Sequence, residues 1–205
     1  MDWGAIVATV LSTVSTIVVA WFGYNQYTKN QETDHKIEKL KNEDKKRNKR
    51  RADNSIKVME ALWNVLYSTK ASRVYIVQPH PLGNEELLTI YFEVKRSGIE
   101  AMKPLIQKMK ISEVARFAAE LEKNVFKVID NIEEDVEDRY AQSLFASGGT
   151  KCAVVKRLSD NKYDWVGSII CEYCHEVDID EEEVQHILHT TATNIQYILP
   201  EIEEN

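Results

Sequence analysis

The sequence predicts an α+β chain: an N-terminal transmembrane helix, a charged linker helix, then an antiparallel sheet flanked by helices. Three observations carry this. Residues 3–24 contain no charged side chain, a sharp excess of base over acid follows them, and the rest alternates strand-like and helix-like hydrophobic patterns. Three segments result: a transmembrane helix over 1–27, a basic juxtamembrane linker over 28–54 and a folded domain over 55–205.

The apolar run WGAIVATVLSTVSTIVVAWFGY spans roughly 33 Å as a helix at about 1.5 Å per residue, enough for a hydrocarbon core of about 30 Å. Trp3 stands at one end, with Trp21, Phe22, Tyr24 and Tyr27 at the other, where interfacial aromatics belong. No basic region precedes the run, and it is long for a cleaved signal peptide. Within it Ala5, Thr9, Ser12, Thr16 and Gly23 follow a heptad-like rhythm. A seam of small and hydroxyl residues lets two helix backbones approach closely in lipid, so the expectation is a homo-oligomer formed through the span and the linker.

Residues 29–51 hold ten lysines and arginines against five acids, a net of +5, whereas only Asp2 precedes the span. The positive side stays in the cytoplasm, which predicts a single-pass inner-membrane protein with its N-terminus out and its C-terminal domain in. Lys45, Lys46, Arg47, Lys49, Arg50 and Arg51 form the densest basic run. Beside a span it reads as a membrane-surface element attracted to anionic headgroups of the bilayer. Residues 52–205 carry 16 basic and 27 acidic side chains, a net of −11, which excludes nucleic acid as a partner. Three cysteines are too few for a disulfide framework and agree with a reducing compartment.

The domain opens on an amphipathic helix, with Ile56, Met59, Leu62, Trp63, Leu66 and Tyr67 at helical spacing. RVYIVQ (73–78) is apolar on both faces, as in a central strand. After Pro79, Pro81 and Gly83, LLTIYFEVK alternates, with Leu88, Ile90, Phe92 and Val94 on the expected buried face. Residues 99–147 read as helical, with Val114, Phe117, Ala118 and Leu121 on one stripe and Val136, Tyr140 and Leu144 on another. VFKVID between them reads as extended. Gly148 and Gly149 mark a helix stop. KCAVVKRL and YDWVGSIICEY flank turn residues 159–162 as a hairpin. In the last helix Asp180 is the expected N-cap with Glu183 three residues on, and Val184, Leu188, Thr191, Ile195 and Ile198 form the apolar stripe.

This order and spacing resemble a GAF domain, the small-molecule-sensing fold related to PAS. RVYIV and LTIYFEV stand as its first hairpin, FASGGTKCAVV and WVGSIICEY as its last. The resemblance covers roughly residues 55–199 and implies a ligand pocket between the sheet and segment 99–147, together with dimerisation through the first and last helices. It carries over no chromophore cysteine and no cyclic-nucleotide motif, so the cofactor-binding residues stay unassigned and no cofactor is expected. The N-terminus followed by a Lys-rich segment is also similar to small phage and prophage membrane proteins, including holins, whose span oligomerises to act.

The chemistry-bearing patterns are weak. Cys171-x-x-Cys174-His175 matches a c-type haem attachment pattern, but the predicted topology forbids haem attachment, and Cys171 lies on the alternating face of Trp165, Gly167 and Ile169. Joined to His186 and His189 the same cysteines resemble a zinc site, yet both histidines fall roughly 140–200° from the apolar stripe of their helix, so no metal is expected. The acidic clusters 133–138 and 181–183 lack the alternating ligands and glycine of a calcium loop. No phosphate loop, Gly-x-Ser-x-Gly or His-Glu-x-x-His occurs. The expectation is no catalytic residue and no enzyme, but a membrane-anchored binding module for a small-molecule ligand or protein partner. A holin-type lysis protein is the alternative.

Overall fold

A computed structural model describes residues 3–83 and 86–200, with side chains for Trp21, Gln26 and Lys29 and from Lys36 onward. The chain divides into two units, 1–50 and 51–205. Helix α1 (Trp3–Ser68) supplies all the described backbone of the first unit and opens the second. Among the described residues no helix is long and apolar enough to cross a membrane. The side chains of 3–20, and with them the expected span, lie outside those described.

In the second unit α1 leads into β1 (Arg73–His80) and β2 (Leu87–Lys95). A loop follows, then the two-residue β3 (Met109–Lys110), α2 (Ala115–Lys123), β4 (Phe126–Ile129), the single turn α3 (Ile132–Asp135), α4 (Arg139–Ser147), β5 (Cys152–Leu158), β6 (Gly167–Tyr173) and α5 (Glu181–Ile195). The six strands form one sheet in the order β3-β2-β1-β6-β5-β4, antiparallel throughout. The two expected hairpins, β1–β2 and β5–β6, are present, and β1 lies beside β6 at the centre of the sheet.

Each face of the sheet carries its own core. On one, Val58, Leu62, Val65 and Leu66 of α1 and Val184, Leu188, Ala192 and Ile195 of α5 meet Val74, Ile76, Val154, Ile169 and Cys171. On the other, Phe117 and Leu121 of α2 and Ala141 and Phe145 of α4 meet Tyr75, Val77, Val155 and Ile170. This three-layer arrangement leaves β1 and β6 with every side chain buried, which is why RVYIV and SIIC show no polar alternation.

Strand β2 departs from the single buried face expected of it. Leu88 and Ile90 belong to the α2–α4 core, Phe92 and Val94 to the α1–α5 core. The reason is a bulge. Ile76 pairs with Phe92 and the next residue, Val77, pairs with Ile90, so Tyr91 is the extra residue, and its insertion reverses the side-chain parity of the strand.

Other differences have equally local causes. Between Arg96 and Lys108 the chain is a loop, where a helix was expected. Gly98, with φ 81°, and Pro104 disfavour a helix there. The Glu93 carboxylate accepts the amides of Met102 (2.6 Å) and Lys103 (3.0 Å). The break between α3 and α4 detaches Val136 from the helix that follows, so α4 buries Ala141 and Phe145 while Tyr140 is exposed. In α1 the core stripe is Val58, Leu62, Val65 and Leu66, whereas Ile56, Trp63 and Tyr67 face solvent.

Capping follows the sequence closely. Asp180 accepts the Glu183 amide at 3.0 Å, Asp138 caps α4 through the Tyr140 and Ala141 amides, and Gly149 (φ 70°) takes the left-handed position after it. The stripe of Val114, Phe117, Ala118 and Leu121 is buried, and so is Val184, Leu188, Thr191 and Ile195.

The two faces of α1 separate in stability measurements. Leu62→Ala, which empties a fully buried position, is expected to lower unfolding free energy by about 2–5 kcal/mol in denaturant titrations. Ile56→Ala is expected to stay within about 0.5 kcal/mol of the parent.

Candidate functional site

On the sheet face covered by α2 and α4, the central strands place three cross-strand pairs in a row: Arg73 with Glu172, Tyr75 with Ile170, and Val77 with Ser168. The first pair is ionic, and both side chains are 0% exposed. Arg73 Nη2 donates to Glu172 Oε2 and, at 3.1 Å, to Thr150 Oγ1, while Nη1 donates to the Glu100 carbonyl. The Thr150 hydroxyl donates to the same Glu172 oxygen. Segment 148–150 comes this close because residue 148 is glycine. A Cβ there would stand 2.6 Å from Arg73 Nη2 and 2.9 Å from Met102 Sδ.

Burial lowers the affinity of the Arg73 guanidinium for its proton, but the Glu172 carboxylate outweighs this and leaves it above its ordinary value. Burial, reinforced by the Glu172 charge, pushes the Tyr75 phenol well up. Two atoms of the pair, Arg73 Nε and Glu172 Oε1, have no hydrogen-bond partner among the described residues.

On the same sheet face lies an apolar cavity of about 20 Å³, lined by Tyr75 and Ile170 but by neither Arg73 nor Glu172. Tyr75 and Ile170 form its floor, Met102, Ile106 and Met109 one wall, and Phe117 and Phe145, edge to face with centroids 5.4 Å apart, the other. That volume admits about one water molecule. It sits where the expected pocket between sheet and segment 99–147 belongs. A separate, open and polar groove of about 900 Å³ runs along Asp130, Glu133, Arg139, Lys151 and Glu176 on the outside of α4.

The same strand ends hold residues 69–72, which follow α1. The Tyr173 hydroxyl donates to the Thr69 carbonyl at 3.3 Å, and Arg96 Nε donates to the Ala71 carbonyl at 2.8 Å. Ser72 Oγ accepts the Cys174 amide at 3.0 Å and lies 3.3 Å from His175 Nδ1. Lys70, between helix and strand, has φ 58°, an unusual value for a residue with a Cβ.

The residues singled out by sequence do not converge here. Lys45, Lys46, Arg47, Lys49 and Arg50 are exposed on α1, with Arg47 paired to Asp44 at 2.9 Å, and Arg51 is half-buried. Ala5, Thr9, Ser12, Thr16 and Gly23 lie outside the residues whose side chains are described. Cys171 is a buried strand residue whose thiol is pushed up by burial, and Cys174 Sγ contacts the Gly148 carbonyl at 3.6 Å. His186 and His189 are exposed on α5. Among the described residues no three His, Cys, Asp or Glu side chains converge as metal ligands. Sequence reasoning passed over Arg73, Thr150 and Glu172. The signal was available: Arg73 and Glu172 are the only Asp, Glu, Lys or Arg in two strands that show no polar alternation.

No family model and no curated protein matches the chain. Solved structures do. The PixJ GAF domain of Thermosynechococcus elongatus, in its blue-light-absorbing form, superposes with TM-score 0.58 at 10% identity, over 72% of this chain and 87% of that one. The fold is that of GAF domains. A far-red cyanobacteriochrome photoreceptor gives TM-score 0.53 at 17% identity over 69% and 85% of the two chains. The chromophore-binding domain of a bacteriophytochrome from R. palustris gives 0.51 at 14% over 69% and 53%.

Two outcomes test this electrostatic arrangement. Arg73→Met is expected to cost roughly 3–5 kcal/mol of stability by stranding Glu172, and Arg73→Met with Glu172→Leu to recover most of that loss in denaturant titrations. Tyr75, Tyr173 and Cys171 all have folded values raised by burial above the ordinary 10.0 and 9.0. The unfolded chain therefore releases protons that the folded one keeps. Their contribution is complete below about pH 9 and is lost as pH rises, so the melting temperature is expected to fall steadily from there upward.

Proposed function

We propose that this chain is a membrane-anchored, non-enzymatic sensory or binding module of GAF fold. In this reading residues 3–24 span the inner membrane with the N-terminus outside, and the basic run 45–51 lies against anionic headgroups. The domain works in the cytoplasm as a dimer joined through the seam of Ala5, Thr9, Ser12, Thr16 and Gly23 and through the linker. The fold supports the sensory reading, because the solved structures it resembles are photoreceptor domains. The carrying observation is the site itself: a neutralised buried ion pair and, on the same sheet face, an apolar cavity. That arrangement supports binding rather than catalysis, because the Tyr75 phenol beside the pair is buried and held protonated.

The route from site to anchor is short. Arg73 follows Ser72 in the chain, and Tyr173, Arg96 and the Cys174 amide hold residues 69–72, the turn that joins α1 to β1. A ligand that favours one arrangement of the Arg73–Glu172 pair over another shifts how that turn is held, by as much as its affinities for the two arrangements differ.

Topology is the decisive test. Full-length chain fused at its C-terminus to a fluorescent protein is expected to fluoresce in a bacterial membrane fraction, and the matching alkaline phosphatase fusion to be inactive. Active phosphatase would place the domain outside and restore the lysis reading.

A further inference from the structure

A second buried polar group, on the other face of the sheet, is only half met. Val77 points into the α2–α4 core, so Gln78, the next residue of β1, turns to the α1–α5 side, where it is 2% exposed. Its Nε2 donates to the Pro200 carbonyl at 3.3 Å, while Oε1 has no hydrogen-bond partner among the described residues. A buried acceptor left unmet costs roughly 1–3 kcal/mol. Pro200 itself has no N–H to offer it. The Glu201 N–H shares one planar trans peptide with the Pro200 carbonyl and points the opposite way. In an extended chain the N–H that points the same way as a carbonyl lies two residues on, here that of Ile202.

The same stretch of chain ends beside a charge. Tyr197, Ile198, Leu199 and Pro200 form one side of a groove of about 220 Å³, and Arg51 and Asn54 of α1 form the other. Arg51 is half-buried and is the one charged side chain in this lining. Glu201, Ile202, Glu203 and Glu204 follow Pro200, three acids in four positions.

We infer that residues 201–204 dock back into this groove as an extended strap, with the Ile202 N–H on Gln78 Oε1 and a glutamate carboxylate on the Arg51 guanidinium. Alternation along an extended chain puts Glu201 and Glu203 on one face and Glu204 on the other. A carboxylate therefore reaches Arg51 whichever face turns toward α1, in a charge-assisted contact. The strap accounts for an amide at position 78, where an apolar side chain would fill the space: it gives to one peptide group and takes from another two residues on. It ties Arg51 and the end of β1 together through one short acidic segment, and it stands apart from the membrane reading.

The test uses the full chain, labelled with ¹⁵N, in a non-ionic detergent at low salt. Backbone order parameters over 201–203 are expected near about 0.85, as in rigid backbone. The Ile202 amide is expected to exchange more than about tenfold slower than in Gln78→Leu. Order parameters below about 0.6 with fast exchange overturn the strap. Order that grows with protein concentration gives the groove to a second copy and overturns docking within one chain. Arg51→Gln, and separately Glu201→Gln, Glu203→Gln and Glu204→Gln together, are expected to drop the order parameters below about 0.6, as about 0.5 M salt does in the parent. Unchanged order in both variants overturns the charge pairing. Neither variant alters a core residue, so they carry the test should Gln78→Leu fail to fold.

Discussion

The pairing of Arg73 with Glu172 across the two central strands is the constraint on which the rest of the domain turns. A fully buried guanidinium is tolerable only with a carboxylate in contact and most of its other donors met, and three parts of the chain contribute to that: β6 through Glu172, the Gly148–Thr150 segment and the Glu100 carbonyl. Sliding β1 against β6 by one residue would send Arg73 to the wrong partner and turn every side chain of the strand to the opposite core. The pair therefore fixes register at the point where pure apolar packing would fix it least, because both faces of these strands are equally greasy. Gly148 belongs to the same constraint, since a side chain there would occupy the space that the guanidinium fills.

Two cores on one sheet demand that the outer strand also serve both faces, and the bulge at Tyr91 is how β2 does so. Without the extra residue Leu88, Ile90, Phe92 and Val94 would all fall on one side. The bulge passes Phe92 and Val94 to the α1–α5 layer while leaving Leu88 and Ile90 beneath α2 and α4. Downstream of it Glu93 takes the amides of Met102 and Lys103 and so pins the loop that forms the methionine wall of the cavity. The cavity's shape is thus tied to a one-residue irregularity in a neighbouring strand.

Much of the architecture was legible in the sequence because its signals are local. Strand periodicity, the Asp180 cap and the glycine stop at 148–149 depend on residues within a few positions of one another, and both hairpins were visible for that reason. The bulge was not, because alternation through LLTIYFEVK looks unbroken, and only the facing strand reveals that the register slips. The α1 stripe was misassigned for a related reason: Ile56, Trp63 and Tyr67 keep helical spacing with the buried residues, and periodicity alone does not tell the inner edge of a wide apolar stripe from the outer. For the site, the patterns that drew notice were cysteines, histidines and acidic runs, all recognisable by spacing. Arg73, Thr150 and Glu172 are scattered over a hundred positions and meet only through sheet topology. What marked two of them was their unfitness, a charge in a strand that has no exposed face.

That unfitness connects structure to function. An apolar pair of similar volume at 73 and 172 would in general be no less stable than a buried ion pair, so the charges are poorly explained as stabilisers. They do supply something an apolar pair lacks, namely directional hydrogen bonds to the Glu100 carbonyl and the Thr150 hydroxyl, which tie the 96–108 loop and the 148–150 segment to the centre of the sheet. Arg73 adjoins Ser72 and Glu172 adjoins Tyr173, and Ser72 and Tyr173 fasten the 69–72 turn that follows α1. With Lys70 in a left-handed conformation at the junction, backbone preference does not fix the path from helix to strand, and those polar contacts supply the hold.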